Sequence, residues 1–258
     1  MADKEFWTPE EYIKGNYFQH EINNLFQKMF NIKLYGDILD VGCGDGKYSR
    51  LLADNIPQGQ VLAIDSSSCM IKHAKQHWEG GNLFFEIQNI EKYQPQPIFD
   101  FIVSFWCLHW TKINLSFAHI YKGLKENGTF YAALYSYTDN SIKQVFYELA
   151  VQKNNNYLKT HINSHNKHGK FLFRVINALA RLPFKTFKLN VKKIYIDMPH
   201  IDYFRYFLRA LPLMKKLPPE RVDTLVDELS EVFQLICQRK HQGRLCYETR
   251  PIFLEAVK

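Results

Sequence analysis

The run Asp40-Val41-Gly42-Cys43-Gly44-Asp45-Gly46-Lys47 sets three glycines at alternate positions behind an acid and an apolar lead-in. Glycine has no Cβ, so it suits a strand that must turn sharply into a helix and a backbone that a ligand must touch. The spacing is G-x-G-x-G, and the G-x-G-x-x-G that wraps a dinucleotide pyrophosphate is not formed, which makes a nicotinamide oxidoreductase a distant rival. Further on, Asp65 closes a second apolar run, where a carboxylate can accept both hydroxyl hydrogens of a nucleoside ribose. Taken alone, Asp65 could equally cap a helix starting at Ser66-Ser67; beside the glycine loop, the ligand role leads.

Such a site needs a sheet that presents strand ends to helices. From 37 to 135, short apolar β-branched or aromatic runs alternate with helix-length segments, the pattern of βαβ units and a doubly wound α/β sheet. Strands are expected at 37–41, 61–65, 83–87, 99–105 and 128–135, with helices at 47–54, 67–78 and 115–125, the last closed by Asn127-Gly128. Thr8-Pro9-Glu10-Glu11 predicts a helix start with a capping side chain, so residues 1–35 read as a helical lid. After the core at 36–137, residues 138–258 should hold a helix at 141–154 and a basic helical stretch at 167–182. A strand at 191–198, helices at 201–211 and 219–238, and a closing strand at 245–257 follow. The last two strands would extend the sheet, with the helices between them as a cap, in one domain spanning 1–258.

The chain is 46% hydrophobic, with 15 Tyr and 20 Phe, enough for one large core. Its five cysteines are scattered without close pairs, so a reducing interior and no structural metal are expected. No apolar run approaches the length that spans a bilayer and the start lacks an apolar leader, which points to a cytoplasmic protein. The formal charge is +7, concentrated in residues 149–196: ten Lys or Arg and no acid, with His161, His165 and His168 among them. Such a stretch can steer an anion, an acidic carrier protein, RNA or a membrane surface, or serve only as a solvated face.

Asp40 through Gly46 with Asp65, Gln88-Asn89-Ile90-Glu91 and Ser104 resemble, in order, the motifs of class I S-adenosylmethionine-dependent methyltransferases. The resemblance implies a Rossmann-like seven-stranded sheet with S-adenosylmethionine as cofactor and S-adenosylhomocysteine as product. It also implies a cofactor set of Tyr12, Gln19, Asp40, Gly42, Cys43, Gly44, Gly46, Asp65, Ser66, Met70, Asn89, Ile90, Glu91, Ser104 and Trp106. The family usually has Asp where this chain has Asn89, whose side-chain carbonyl can still accept from the adenine amino group. Cys43 enters as a small side chain in a tight turn. Trp106 either lines the cofactor or belongs to the core, and Tyr12 covers the cofactor or staples the lid.

The segment from Phe99 to Trp110, with Trp7-to-Gln19 and Tyr203-to-Pro212, is similar to trans-aconitate and juvenile hormone acid methyltransferases, and malonyl-carrier-protein methyltransferases resemble the same places. That resemblance implies a carboxylic acid acceptor. Gln19 and Trp110 would orient it; His109 would assist, or else only cap its loop beside Trp110. Arg205 and Arg209 would be pocket cations. A carboxylate is ionised at neutral pH and needs alignment rather than a general base. The Asn-Pro-Pro-Tyr-like run of base and amide N-methyltransferases is replaced here by Ser104-Phe-Trp-Cys. A protein that binds RNA or an acidic partner through 149–196 on this fold is the rival from another class.

Overall fold

The computed structural model describes residues 8–30, 32–96, 98–135, 140–153, 158 and 171–258. Two lid helices, α1 (Pro9–Gly15) and α2 (Tyr17–Phe30), precede β1 (Ile38–Val41). The Thr8 hydroxyl donates to Glu11 Oε2 and caps no backbone N–H, so the helix start rests on Pro9 and the first-turn acids, contrary to the expected side-chain cap. Then follow α3 (Lys47–Asp54), β2 (Val61–Asp65), α4 (Ser68–Trp78), β3 (Leu83–Ile87), β4 (Phe99–Phe105), α5 (Ile113–Gly123) and β5 (Leu124–Leu134). The second half holds α6 (Ser141–Gln152), α7 (Phe171–Ala180), β6 (Thr186–Val191), β7 (Ile194–Asp197), α8 (Asp202–Arg209), α9 (Pro219–His241), β8 (Cys246–Thr249) and β9 (Ile252–Val257).

Seven strands form one sheet in the order β3-β2-β1-β4-β5-β9-β6. The first five are parallel, and β9 runs antiparallel between β5 and β6. All four residues of β1 are buried, as a strand covered on both faces must be. Alternation along β9 divides the core: Phe253 joins Phe26, Phe105 and Ala133 under the lid and cap, whereas Leu254 joins Phe117, Phe130 and Val175 under α5 and α7.

Further expectations are corrected. Asn127-Gly128 does not close the fifth helix. That helix ends at Gly123 because Leu124 is already extended and pairs with Phe99, while Asn127, at φ 63°, makes a turn inside β5 whose N–H donates to Lys258 O. The seventh strand is Thr186–Val191, not 191–198. Ile194–Asp197 pairs instead with Cys246–Thr249 in a separate two-stranded ribbon, so the expected closing strand at 245–257 is also divided. The ladder breaks where Arg250-Pro251 stands opposite Lys192-Lys193, since proline has no N–H to give.

The basic stretch is only partly described: Lys159, His161, His165, Lys167, His168 and Lys170 lie outside the described residues. Of the rest, Lys153 pairs with Glu228, Lys185 with Glu126, Lys188 with Glu255 and Lys193 with Glu248, while Arg174 lies over the Phe171 ring. Among the described residues no helix is long and apolar enough to cross a membrane.

Candidate functional site

The glycine loop leaves β1 at the carboxyl edge of the sheet, where ligands of open α/β sheets bind. Gly42, Gly44 and Gly46 have φ of 78°, 56° and 80°, a region that costs other L-residues energy. Space forbids a side chain as well: a Cβ on Gly42 would stand 2.2 Å from Cys107 Cβ, and one on Gly46 would stand 2.7 Å from Ala74 Cβ. Tyr12 of α1 lies against Gly44, with ring atoms 3.3 Å from where a Cβ would be, so the lid rests on the loop.

Asp65, at the end of β2, receives the Gly44 N–H at 3.1 Å on Oδ2 and the Ser67 N–H at 2.8 Å on Oδ1. Burial raises its carboxyl, opposed by those backbone bonds. Each oxygen keeps a lone pair, so the residue can hold the loop and still accept two hydroxyls. Ser67 caps α4 by accepting from Met70 N–H, with Met70 buried and Ser66 exposed beside it.

A narrow cleft opens between the loop and the lid. It is lined by Tyr12, Asn16, Gln19, His20, Asn23, Asp40, Gly42, Cys43, Asp45, Tyr48, Phe105 and Trp106, with no Lys or Arg among them. Buried Asp40 accepts from the Ser49 hydroxyl at 2.7 Å, and desolvation pushes its carboxyl up to about 7. Desolvation also raises Asp45 and lowers His20, which Asp45 faces. The Cys43 thiol is driven far up by burial, so it is no nucleophile. Trp106, at φ 61°, donates through Nε1 to Asn23 Oδ1 at 2.9 Å, a link from the end of β4 to the lid. Gln19 Oε1 is buried without a hydrogen-bond donor among the described residues.

Asn16, His20, Asn23 and Tyr48 were not among the sequence candidates, and Asp45 was read only as part of the glycine loop. The signal was present: Asn16, Gln19, His20 and Asn23 are spaced i, i+3, i+4, i+7, a polar stripe on one face of the lid, while Phe18, Ile22 and Phe26 form the apolar stripe behind it.

Other candidates sit elsewhere. Trp110 is 58% exposed and is not among the cleft-lining residues. His109 is driven down to about 3 by desolvation, and its Nδ1 accepts the Tyr135 N–H at 3.4 Å, which is the loop-capping arrangement. Arg205 pairs with Asp227 and Arg209 with Asp223, both on α9. Ser104 donates to Val41 O and ties β4 to β1. Asn89 Oδ1 accepts the Glu91 N–H, Ile90 is buried, and Glu91 accepts from the Lys112 backbone.

Residues 38–128 match a family model described as a methyltransferase domain. A protein of Invertebrate iridescent virus 6 named as a methyltransferase is 31% identical over 126 residues, 48% of this chain and 47% of its own. A malonyl-[acyl-carrier protein] O-methyltransferase of Acetivibrio thermocellus is 29% identical, covering 45% of this chain and 42% of its own. A trans-aconitate 2-methyltransferase of Deinococcus radiodurans is 30% identical, covering 40% and 39%. The chain spans less than half the length of each of these relatives. In fold it is similar to Haemonchus contortus phosphoethanolamine N-methyltransferase 2 in complex with S-adenosyl-L-methionine, with a TM-score of 0.63, 16% identity, and coverage of 99% of this chain and 58% of that one. Parallel strands in the order 3-2-1-4-5, an antiparallel strand beyond them and a loop of left-handed glycines give the chain the fold of class I methyltransferases, and residues 38–128 match the methyltransferase domain model.

Proposed function

We propose that the protein transfers a methyl group from S-adenosylmethionine directly to a carboxylate oxygen of a small organic acid. The cofactor supplies an electrophilic methyl on a positively charged sulfur. The carbon–sulfur bond breaks with its electron pair left on sulfur, a carbon–oxygen bond forms, and no proton moves.

The observation that carries the reading is the neutral polar stripe of the lid facing the glycine loop. Amides from Asn16, Gln19 and Asn23 line the cleft with no activated nucleophile, and the unpartnered Gln19 Oε1 marks a place for a ligand donor. Asp65 would take the ribose hydroxyls, the loop would pass against the cofactor, and Tyr12 would cover it. Cofactor roles for Ser66, Met70, Asn89, Ile90, Glu91, Ser104 and Trp106, and acceptor roles for Trp110 and His109, belong to the same proposal. Asp40 and Asp45 would favour a cofactor carrying a sulfonium and an ammonium. An acceptor that is already an anion needs alignment rather than a base, and alignment alone can stand for an effective concentration of about 10⁵ M or more. The names of the malonyl-carrier-protein and trans-aconitate relatives support a carboxyl acceptor. A carrier-protein-bound acid is the second reading, favoured by the basic stretch.

The test is incubation with methyl-tritiated cofactor and a panel of di- and tricarboxylic acids, fatty acids, acyl-carrier protein and total tRNA. Label released by alkali as volatile methanol is expected with an acid. Alkali-stable label on another acceptor would overturn the carboxyl reading, and label on tRNA would favour the nucleic-acid rival.

A further inference from the structure

We infer that Arg250 is the residue that receives the anionic end of the acceptor; this rests on the carboxyl reading above. Leu134, the last residue of β5, stands opposite Ile252 of antiparallel β9, so Arg250 and Pro251 lie at the carboxyl edge of the sheet, beside Tyr135. That edge is where open α/β sheets bind their ligands. The ladder break at Pro251 leaves Arg250 out of both pairings: β8 ends at Thr249 opposite Ile194, and β9 begins at Ile252 opposite Val191.

Its side chain is half-buried, and Nε is closed off from solvent with no acceptor. No acid pairs with Arg250 among the described residues. The cations on neighbouring elements differ: Arg205, Arg209, Arg239, Arg244 and Lys193 face Asp227, Asp223, Glu148, Asp197 and Glu248. A charged donor kept from water without an acceptor is costly unless a ligand completes it. The guanidinium fork matches a carboxylate with two parallel hydrogen bonds.

The same run reaches the lid. Tyr247, three residues earlier, stacks on Phe18 with ring centroids 4.1 Å apart, in the apolar layer behind the lid's polar stripe. The cleft lining has no Lys or Arg of its own, so an anionic acceptor must find its cation elsewhere along the carboxyl edge that Arg250 shares.

The experiment compares wild type, Arg250→Gln and Arg250→Lys, using trans-aconitate as acceptor because it keeps free carboxylates beside the one methylated, with cofactor affinity measured by calorimetry on each. Arg250→Gln should raise the acceptor KM by about tenfold or more with cofactor Kd changed by less than about twofold, and Arg250→Lys should recover part of the loss. Ester formation with an unchanged acceptor KM in Arg250→Gln would overturn the role of Arg250 alone. A parallel loss of cofactor affinity would also overturn it, by making the residue structural. A wild type that yields only alkali-stable label would overturn the carboxyl reading and Arg250 with it.

Discussion

The Gly44 N–H donates to Asp65 Oδ2 at 3.1 Å, so the ends of β1 and β2 are joined at the place where a ribose would sit. Asp65 holds the loop, and under the proposed reading it would also take the ribose, so its removal would act on both. Asp65→Ala is expected to weaken S-adenosylmethionine binding by at least about tenfold, since charge-assisted bonds contribute roughly 1.5–3 kcal/mol. Calorimetry checks it, and unchanged affinity would remove Asp65 from the site.

Gly42→Ala should destabilise the fold far more than Gly243→Ala. Both have positive φ, 78° and 86°, which costs an L-residue about 1–2 kcal/mol. A Cβ at Gly243 meets nothing within 4 Å, but at Gly42 it meets Cys107 Cβ at 2.2 Å. Urea unfolding of the two variants should separate them by roughly 2 kcal/mol or more, and equal midpoints would contradict the geometry.

Asp40 gives the protein a pH dependence of defined sign. Its folded carboxyl, held up to about 7 by burial, stands above its unfolded value, so between about pH 4 and 7 the native state binds more protons than the unfolded state. Stability contributed by protonated Asp40 is therefore present at low pH and lost as pH rises through 7. Wild type should lose melting temperature relative to Asp40→Asn between pH 5 and 8. Parallel curves would show that Asp40 does not titrate there.

His109, pushed down to about 3, is neutral throughout the working range. The pH profile of methyl transfer by His109→Gln should keep the wild-type shape between pH 5 and 8. Loss of an inflection near 6–7 in the variant would make His109 an acid–base group after all.

The exposed pairs Arg205–Asp227 and Arg209–Asp223 should contribute little. Double-mutant cycles are expected to give less than about 1 kcal/mol for each, with acceptor KM unchanged in Arg205→Ala. A large rise in KM would return Arg205 to the acceptor site.

Legibility in the sequence followed the range of the forces involved. The strands and helices of 37–105 could be read because strand patterning and left-handed glycine turns are local demands, carried by residues a few positions apart. The lid stripe Asn16, Gln19, His20 and Asn23 was equally local, yet its meaning depended on which face of α2 meets the loop. Beyond β5 the choice of the edge strand lay with β9, whose residues 252–257 take Thr186–Val191 as a partner and leave 194–197 to the ribbon. No local pattern ranks two strand-like segments for the same edge.

By itself the sequence determined a methyltransferase-like strand–loop–helix run around Gly42, Gly44, Gly46 and the strand-end Asp65, because backbone conformation and strand-end position are set by neighbours in the chain. Tertiary structure alone decided the fate of the charges. The basic run from 149 to 196 has no acid of its own, yet Lys153, Lys185, Lys188 and Lys193 meet Glu228, Glu126, Glu255 and Glu248, brought from distant segments. Arg205 and Arg209 were turned toward α9, and Arg250 at the carboxyl edge has no acid partner among the described residues. Coulomb attraction acts through space and is blind to chain order, so a cation's partner can be known only once the chain has folded.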